Sequence, residues 1–342
     1  MTPARALIPF VLLAIMTAAA HAQSAIADFY RGKTVTIVVG QPSGSTFDSY
    51  ARLIASHLSR HVPGQPTIIV QNMPGAASLV AGAHVYNIAP QDGTTIGASS
   101  TNLPVQPLID STGVRFDPRK FQWLPTPAEF PTALIVWRAA SVTSLDDMRA
   151  KDANFGSITA GSPPTVAIGL YNQVLRTRMR PILGYASMQA AVLAMEHGEI
   201  DGYPSIPVET LRVNYKHHLE AGRIRVLLQA GETRTAEFPD VPTVLELLDN
   251  ENDRALVRLA NAFTMTTTPF MMGPGAPADR VAAMREAFTD TFADPAFLED
   301  AARRELRLSP VSAGNVTKRI EAAFRSDETI VRRLRDIYEK TK

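Results

Sequence analysis

Between Val35 and Leu58 the chain reads VTIVVGQPSGSTFDSYARLIASHL: an apolar run, a turn of Gly, Ser and Thr, and an amphipathic stretch. A strand that passes through small residues into a helix aims several backbone N–H groups and a positive dipole end at one point, which is chemistry for holding an anion. Nucleotide fingerprints are missing. A P-loop needs Lys and then Ser or Thr after its second glycine, whereas Gly44 is followed by Ser45, Thr46 and Phe47, and the Gly-x-Gly-x-x-Gly spacing does not occur here. Ser45 and Thr46 also suit a helix cap, a role compatible with ligand contact because the first turn leaves N–H groups unpaired beyond the one a cap satisfies. Asp48 falls in that first turn, where a carboxylate favours the dipole and repels an anion. It can hold loop N–H groups, meet a ligand hydroxyl or ammonium, or be purely structural. Phe47 divides between core and cleft wall.

The elements around this turn follow from periodicity. KTVTIVV reads as a buried strand, and FDSYARLIASHLSRHV as a helix with Phe47, Tyr50, Ile54 and Leu58 on one face. PTIIVQN is the next strand, MPGAASLVAGAHVYNIAP a second small-residue turn entering a helix, and GTTIGASS a third strand ending in Ser99, Ser100, Thr101 and Asn102. Alternation of this kind predicts a parallel, doubly wound sheet with ligands at the carboxyl ends of its strands. A second unit of the same architecture starts near TALIVWR. It continues through NFGSITAGSP, a helix from about Val166 to Leu175, RPILGYAS, a helix ended near Gly198, the short strand EIDGYP, GRIRVLLQAG and DVPTVLELL. ANAFTMTTTPF reads as a further strand, and GAPADRVAAMREAFTDTFADPAFLEDAARR and AGNVTKRIEAAFRSDETIVRRLRDIYEK as helical segments. Crossing strands between two α/β units make a hinged clamp.

At 342 residues of near-average composition the chain has room for two cores. Its first 22 residues carry Arg5, an apolar run from Ala6 to Met16, and Ala20-His21-Ala22 in the small-x-small pattern of a signal-peptidase site. The run is too short for a membrane span, so cleavage after Ala22 and export to a Gram-negative periplasm are expected. The absence of cysteine means an exported chain that is stable without disulfides. Without Arg5 the charge balances at 33 basic and 33 acidic residues with no basic block, which gives no reason to propose nucleic acid or anionic lipid as partner.

Catalytic and metal constellations are not evident. His57 and His61 stand four apart, but no His-Glu-x-x-His motif or completing ligand accompanies them, and they read as a solvated helix face. His217 and His218 fall at a polar helix end. There is no Gly-x-Ser-x-Gly elbow and no pair of carboxylates framed by apolar residues. No cofactor is expected.

Four ordered segments resemble the substrate-binding receptors of the tripartite tricarboxylate transporter family, the Bug receptors: VTIVVGQPSGSTFDSYARLIA, VQNMPGAAS, APQDGTTIG and GRIRVLLQAGETRTAEFPDVPTVLEL. The resemblance implies a periplasmic-binding-protein fold of type II-like topology: two α/β domains, each a mostly parallel sheet flanked by helices, closing on a small carboxylate in the cleft between them. The domains are expected at 23–130 plus about 255–303, and at about 131–250 plus about 304–342. Carried over by position, the resemblance places Pro42, Ser43, Gly44, Ser45, Thr46, Phe47 and Asp48 in a first ligand loop, and Pro74, Gly75, Ala76, Ala77 and Ser78 in a second. Thr101 ends the third strand. Opposite them it puts the turns TAGSP and GYAS, with Gly161, Ser162, Tyr185 and Ser187, and Asp201. Tyr185 is either a core aromatic or a phenol at the cleft rim, and Asp201 and Tyr203 lie in a strand expected near the hinge. The family has glycines where this chain has Ser45, Thr46 and Ala77; a Cβ there disfavours positive φ, while the two hydroxyls can replace a bound water as donors. The function so implied is a monomeric periplasmic receptor that presents its ligand to inner-membrane permease subunits. The other readings are an enzyme acting on a small organic acid and the input domain of a sensor.

Overall fold

Val35, Ile37, Val38 and Val39 are all buried, as a strand covered on both of its faces requires. The computed structural model describes residues 24–262 and 268–340, so the proposed leader lies outside the described residues. In chain order the strands are β1 (Thr34–Val39), β2 (Thr67–Asn72), β3 (Thr95–Ala98), β4 (Gln122–Trp123), β5 (Thr132–Trp137), β6 (Ala153–Gly156), β7 (Met179–Ile182), β8 (Gly202–Pro207), β9 (Ile224–Ala230) and β10 (Phe270–Met272). The longer helices are α1 (Thr46–Leu58), α2 (Leu79–Asn87), α3 (Pro163–Leu175), α4 (Met188–Glu196), α5 (Glu251–Ala262), α6 (Ala278–Ala293), α7 (Pro295–Arg303), α8 (Ala313–Phe324) and α9 (Glu328–Lys340).

The strands form two five-stranded sheets, ordered β2-β1-β3-β10-β4 and β7-β6-β8-β5-β9. β1 pairs in parallel with β2 and β3, and β10 runs antiparallel to β3 and β4. In the other sheet β6 pairs in parallel with β7 and β8, and β5 runs antiparallel to β8 and β9. Each sheet therefore has four strands pointing one way and one reversed strand in the same place, the repeat of architecture that the alternating pattern predicts. The first unit comprises the described residues up to 103, with 113–128 and 268–318; the second comprises 104–112, 129–262 and 319–340. α5 thus belongs to the second unit, although its sequence position suggested the first. Its apolar face, with Leu256, Val257 and Leu259, joins Ile330, Val331 and Leu334 of α9 in one core. Residues 304–318 fall in the first unit, where Val311 bridges to Thr126.

Two breaks divide helical segments that looked continuous. Pro295 has no N–H to continue α6, and Asp294 caps α7 by accepting from the Ala296 N–H at 2.8 Å. Asp327 separates α8 from α9 and accepts from the Thr329 N–H at 2.8 Å. The strand expected over Ala260–Phe270 is displaced: Ala260–Ala262 end α5, residues 263–267 lie outside the described residues, and β10 begins at Phe270. Gly202 is required where β8 crosses β6 and β5, since a Cβ there would stand 2.4 Å from the Ile135 carbonyl oxygen and 2.5 Å from the Phe155 ring.

His57, in the last turn of α1, and His61, just beyond its end, are not on a solvated face. His57 Nε2 meets Asp300 Oδ2 at 3.0 Å and His61 Nε2 meets Asp294 Oδ2 at 2.8 Å, so both carboxylates tie α7 to the C-terminal end of α1. Among the described residues no group of three or more His, Cys, Asp or Glu could hold a metal ion, and no helix is long and apolar enough to cross a membrane. The hydrogen bond from His61, with help from the Ala296 N–H and Arg60, holds the Asp294 carboxyl down to about 2 against the opposing effect of burial. Arg304 first, then His57 and Arg303, hold Asp300 well below the usual carboxylate range. A depressed folded-state value gives stability that is present above the unfolded carboxyl value of about 3.9 and is lost as pH falls through the folded one. Urea unfolding followed from pH 5 down to pH 2 is expected to show that loss, and Asp294→Asn to flatten it; an unchanged acid slope in the variant would contradict the clasp.

Candidate functional site

Val39 is in register with both Asn72 and Ala98, so the three parallel strands of the first sheet stop at one level and release three loops side by side. Two side chains fix these loops. Ser78 is fully buried, donates to the Gly40 carbonyl at 3.1 Å, and accepts from Gln41 Nε2 at 3.1 Å and from the Ser100 N–H at 2.9 Å. One hydroxyl thereby pins all three loops. Gly40 must lack a Cβ, which would lie 2.5 Å from Ser78 Cβ.

Asp48 is the second anchor and is only 2% exposed. Its Oδ2 accepts from the Gly44 N–H at 2.9 Å and from Arg52 Nε at 2.9 Å; its Oδ1 accepts from Asn72 Nδ2 at 2.8 Å. Asn72 Nδ2 also reaches the Gln41 carbonyl at 3.0 Å, and Arg52 Nη2 donates to Asn72 Oδ1 at 2.9 Å. Burial would raise the Asp48 carboxyl, but the hydrogen bonds from Arg52, Gly44 and Asn72 outweigh it and hold its pKa below the ordinary value. Asp48 is therefore ionised, neutralised by Arg52, and occupied in shaping the first loop. Of the three roles open to it in the sequence, the observed contacts are those of the holder of loop N–H groups. Arg52, Asn72 and Gln41 escaped the sequence reading; the spacing of four between Asp48 and Arg52 was the signal that could have shown the ion pair.

What remains faces outward. Ser45 is the N-cap of α1 and accepts from the Asp48 N–H at 3.3 Å, leaving Thr46 exposed at the first helical position. Phe47 is half-buried and packs against the first core. Pro42, Ser43 and Gly44 are exposed, with Gly44 at φ +80°. Among the described residues the N–H groups of Thr46 and Phe47 have no protein partner, as expected for the opening turn of a helix. The second loop departs from helical convention. Gly75 (φ +153°), Ala76 (+43°), Ala77 (+50°) and Ser78 (+78°) follow one another with positive φ, and a Cβ on Gly75 would sit 2.7 Å from Val80 Cγ2. The Cβ of Ala77 does not abolish the left-handed backbone, despite about 1–2 kcal/mol of strain per such residue. Ser100 Oγ donates to the Ala77 carbonyl at 2.7 Å and helps hold it. The N–H groups of Ala76 and Ala77 also lack a protein partner, and both residues, like Pro74, are exposed. Thr101 is half-buried in the turn beyond β3. Ser78, in contrast, has no hydroxyl capacity left to offer a ligand.

The second unit presents its own loops at the carboxyl ends of β6 and β7. Gly161 (φ +68°) and Gly184 (φ +102°) are both in open space. Ser162 caps α3 positionally, and its hydroxyl donates to the Thr159 carbonyl at 2.6 Å within a cluster that includes Ser157 and Thr165. Pro163 and Pro164 occupy the first two positions of α3, so two N–H groups that a helix opening ordinarily offers are missing there. Ser187 caps α4 by accepting from the Ala190 N–H at 3.2 Å. The Tyr185 ring is half-buried against the core that includes Ala191 and Ile200, and burial raises its phenol pKa. Asp201 belongs elsewhere. β6 and β8 run parallel with Phe155 opposite Gly202, which puts Asp201 at the amino end of β8, away from the loops that leave β6 and β7. Its carboxylate accepts from the Ser141 N–H and hydroxyl at 3.1 and 2.9 Å and from the Asn154 N–H at 2.8 Å. It stitches strands together at the opposite end of the sheet from those loops.

The model of the family described as tripartite tricarboxylate transporter family receptor matches residues 50–335. The UPF0065 protein of the gbd 5′ region of Cupriavidus necator is 28% identical over 250 residues, covering 71% of this chain and 73% of that protein. A TctC solute-binding protein from Polaromonas has a similar structure, with a TM-score of 0.71 at 18% identity over 91% of this chain and 99% of its own. An R. palustris protein solved with adipate gives a TM-score of 0.57 at 21% identity over 88% and 97%. These two share the fold.

The contrast between Ser78 and Thr46 is open to measurement. Ser78→Ala leaves the half-buried Ser100 amide, the Gly40 carbonyl and the Gln41 amide group without their partner and should lower unfolding stability by about 1–3 kcal/mol, while Thr46→Ala, on an exposed position, should stay within about 0.5 kcal/mol of the parent. Equal urea midpoints for the two variants would contradict the pinning role of Ser78.

Proposed function

The chain belongs to the receptors of the tripartite tricarboxylate transporter family, its match running over residues 50–335, and on that premise we propose that it captures a small carboxylate through main-chain amides at the carboxyl ends of its first sheet. The observation that carries this reading is the group of N–H donors of Thr46, Phe47, Ala76 and Ala77, which have no protein partner among the described residues, beside a carboxylate, Asp48, that Arg52 already neutralises. A carboxylate at the opening of α1 gains from the helix dipole. Charge-assisted hydrogen bonds to it contribute roughly 1.5–3 kcal/mol each. The adipate held by the R. palustris structure is a ligand of this chemical class.

In the second unit the prolines at the start of α3 remove two helix-opening amides, and the donors that unit itself offers are the Tyr185 phenol, the Gly161 turn and the Ser187 turn at the opening of α4. The protein works in the periplasm after loss of the leader ending at Ala22, as a monomer, and hands its ligand to membrane permease subunits. It binds rather than transforms. The pairs His57–Asp300 and His61–Asp294 stand at the far end of α1 from the first loop, and His218 is bonded to Glu196.

Melting of the mature protein with mono-, di- and tricarboxylates tests the reading. A ligand at about 100 times its dissociation constant stabilises by roughly 2.7 kcal/mol, which is readily seen as a rise in Tm. Ala76→Asp places a like charge among the exposed amides at a position where Asp tolerates positive φ; it should abolish that rise and leave the ligand-free Tm near the parent value. A rise that survives the substitution removes the second loop from the site.

A further inference from the structure

A depression of about 570 Å³ in the second unit, lined by Trp137, Arg138, Ala139, Glu196 and Arg223, takes no part in the function proposed above. It lies where β5 ends and β9 begins. Trp137 is in register with Ile224, and the Arg138 N–H donates to the Arg223 carbonyl at 2.7 Å, so the two arginines stand opposite one another across the strands. Directly opposed cross-strand residues project to the same face, and like charges in that arrangement repel. Both side chains are exposed, and among the described residues no carboxylate pairs with either guanidinium. Glu196, the one carboxylate of the lining, is held by His218 Nε2 at 2.7 Å. His218 is only 5% exposed, and its ring stands edge-on to Trp137 with centroids 5.1 Å apart. The nearby Lys216 and Glu220 pair with each other at 3.6 Å, and His197 with Glu199 at 3.9 Å.

A folded surface that sets two arginines directly opposite one another with no carboxylate paired to either, beside an aromatic ring, is complementary to an oxyanion. We propose that Arg138 and Arg223 bind the carboxylate or phosphate group of a small molecule against Trp137. This site is separate from the loops at the carboxyl ends of β6 and β7, because the Trp137 N–H bonds to the carbonyl of Asp201 at the amino end of β8. It does not depend on the ligand of those loops.

The chain has two tryptophans, and Trp123 is 1% exposed with its indole N–H donated to the Pro118 carbonyl. Trp137 is therefore a specific reporter. The indole cross-peaks of ¹⁵N-labelled protein are followed during addition of sodium phosphate or sodium citrate, with sodium chloride added to hold ionic strength constant. The proposal predicts a saturable movement of the Trp137 peak with at least one of the two anions, identifying phosphate or carboxylate as the preferred group, and a still Trp123 peak. Arg138→Gln and Arg223→Gln should each weaken that response about tenfold or more, the size of one lost charge-assisted hydrogen bond, while Thr46→Ala leaves it unchanged. In anion-free buffer Arg223→Gln should melt at the parent temperature or above it, because it relieves repulsion. No saturable movement with either anion, an unaltered titration in both arginine variants, or a lower anion-free Tm for Arg223→Gln would overturn the proposal.

Discussion

The geometry of the first loop depends on the ionised carboxylate of Asp48. It is buried in the first turn of α1, where an unneutralised charge would be expensive and would repel the very group the loop is suited to hold. Arg52, one helical turn on, removes that difficulty by pairing at 2.9 Å. The remaining acceptor capacity then draws the Gly44 N–H inward and joins β2 to the loop through Asn72. A charge that looks hostile to an anion is what orders the backbone around the neighbouring free amides.

The two units reach similar ends by different local chemistry. In the first, three parallel strands stop in register, Ser78 fastens their loops, and the amides left over face outward. In the second, consecutive prolines remove the amides at the start of α3, and hydroxyls of Ser157, Ser162 and Thr165 close up among themselves. Equivalent sheets with an identical strand order thus do not imply equivalent loops.

Much of this was legible from the residues. Apolar runs such as VTIVV and the alternation of strands with helices gave two α/β units, and the small-residue turns gave the loop positions, because those signals are local. Contacts between distant segments were not legible. The Asp48–Asn72 bond, the knot around Ser78 and the histidine clasp to Asp294 and Asp300 join positions that only strand register and helix packing bring together. Asp201 shows the same limit from the other side: its residue type suits a binding site, but strand direction decides which end of the sheet it occupies. Ala77 shows that an alanine can hold a left-handed backbone where a neighbouring hydrogen bond helps to fix it.

The central claim concerns backbone amides, and amides report directly. With the carboxylate that raises Tm most, ¹H–¹⁵N spectra of the mature protein should show the N–H signals of Thr46, Phe47, Ala76 and Ala77 moving downfield to saturation, with one common dissociation constant. Saturable binding that leaves those four signals in place, and moves others instead, would contradict the account.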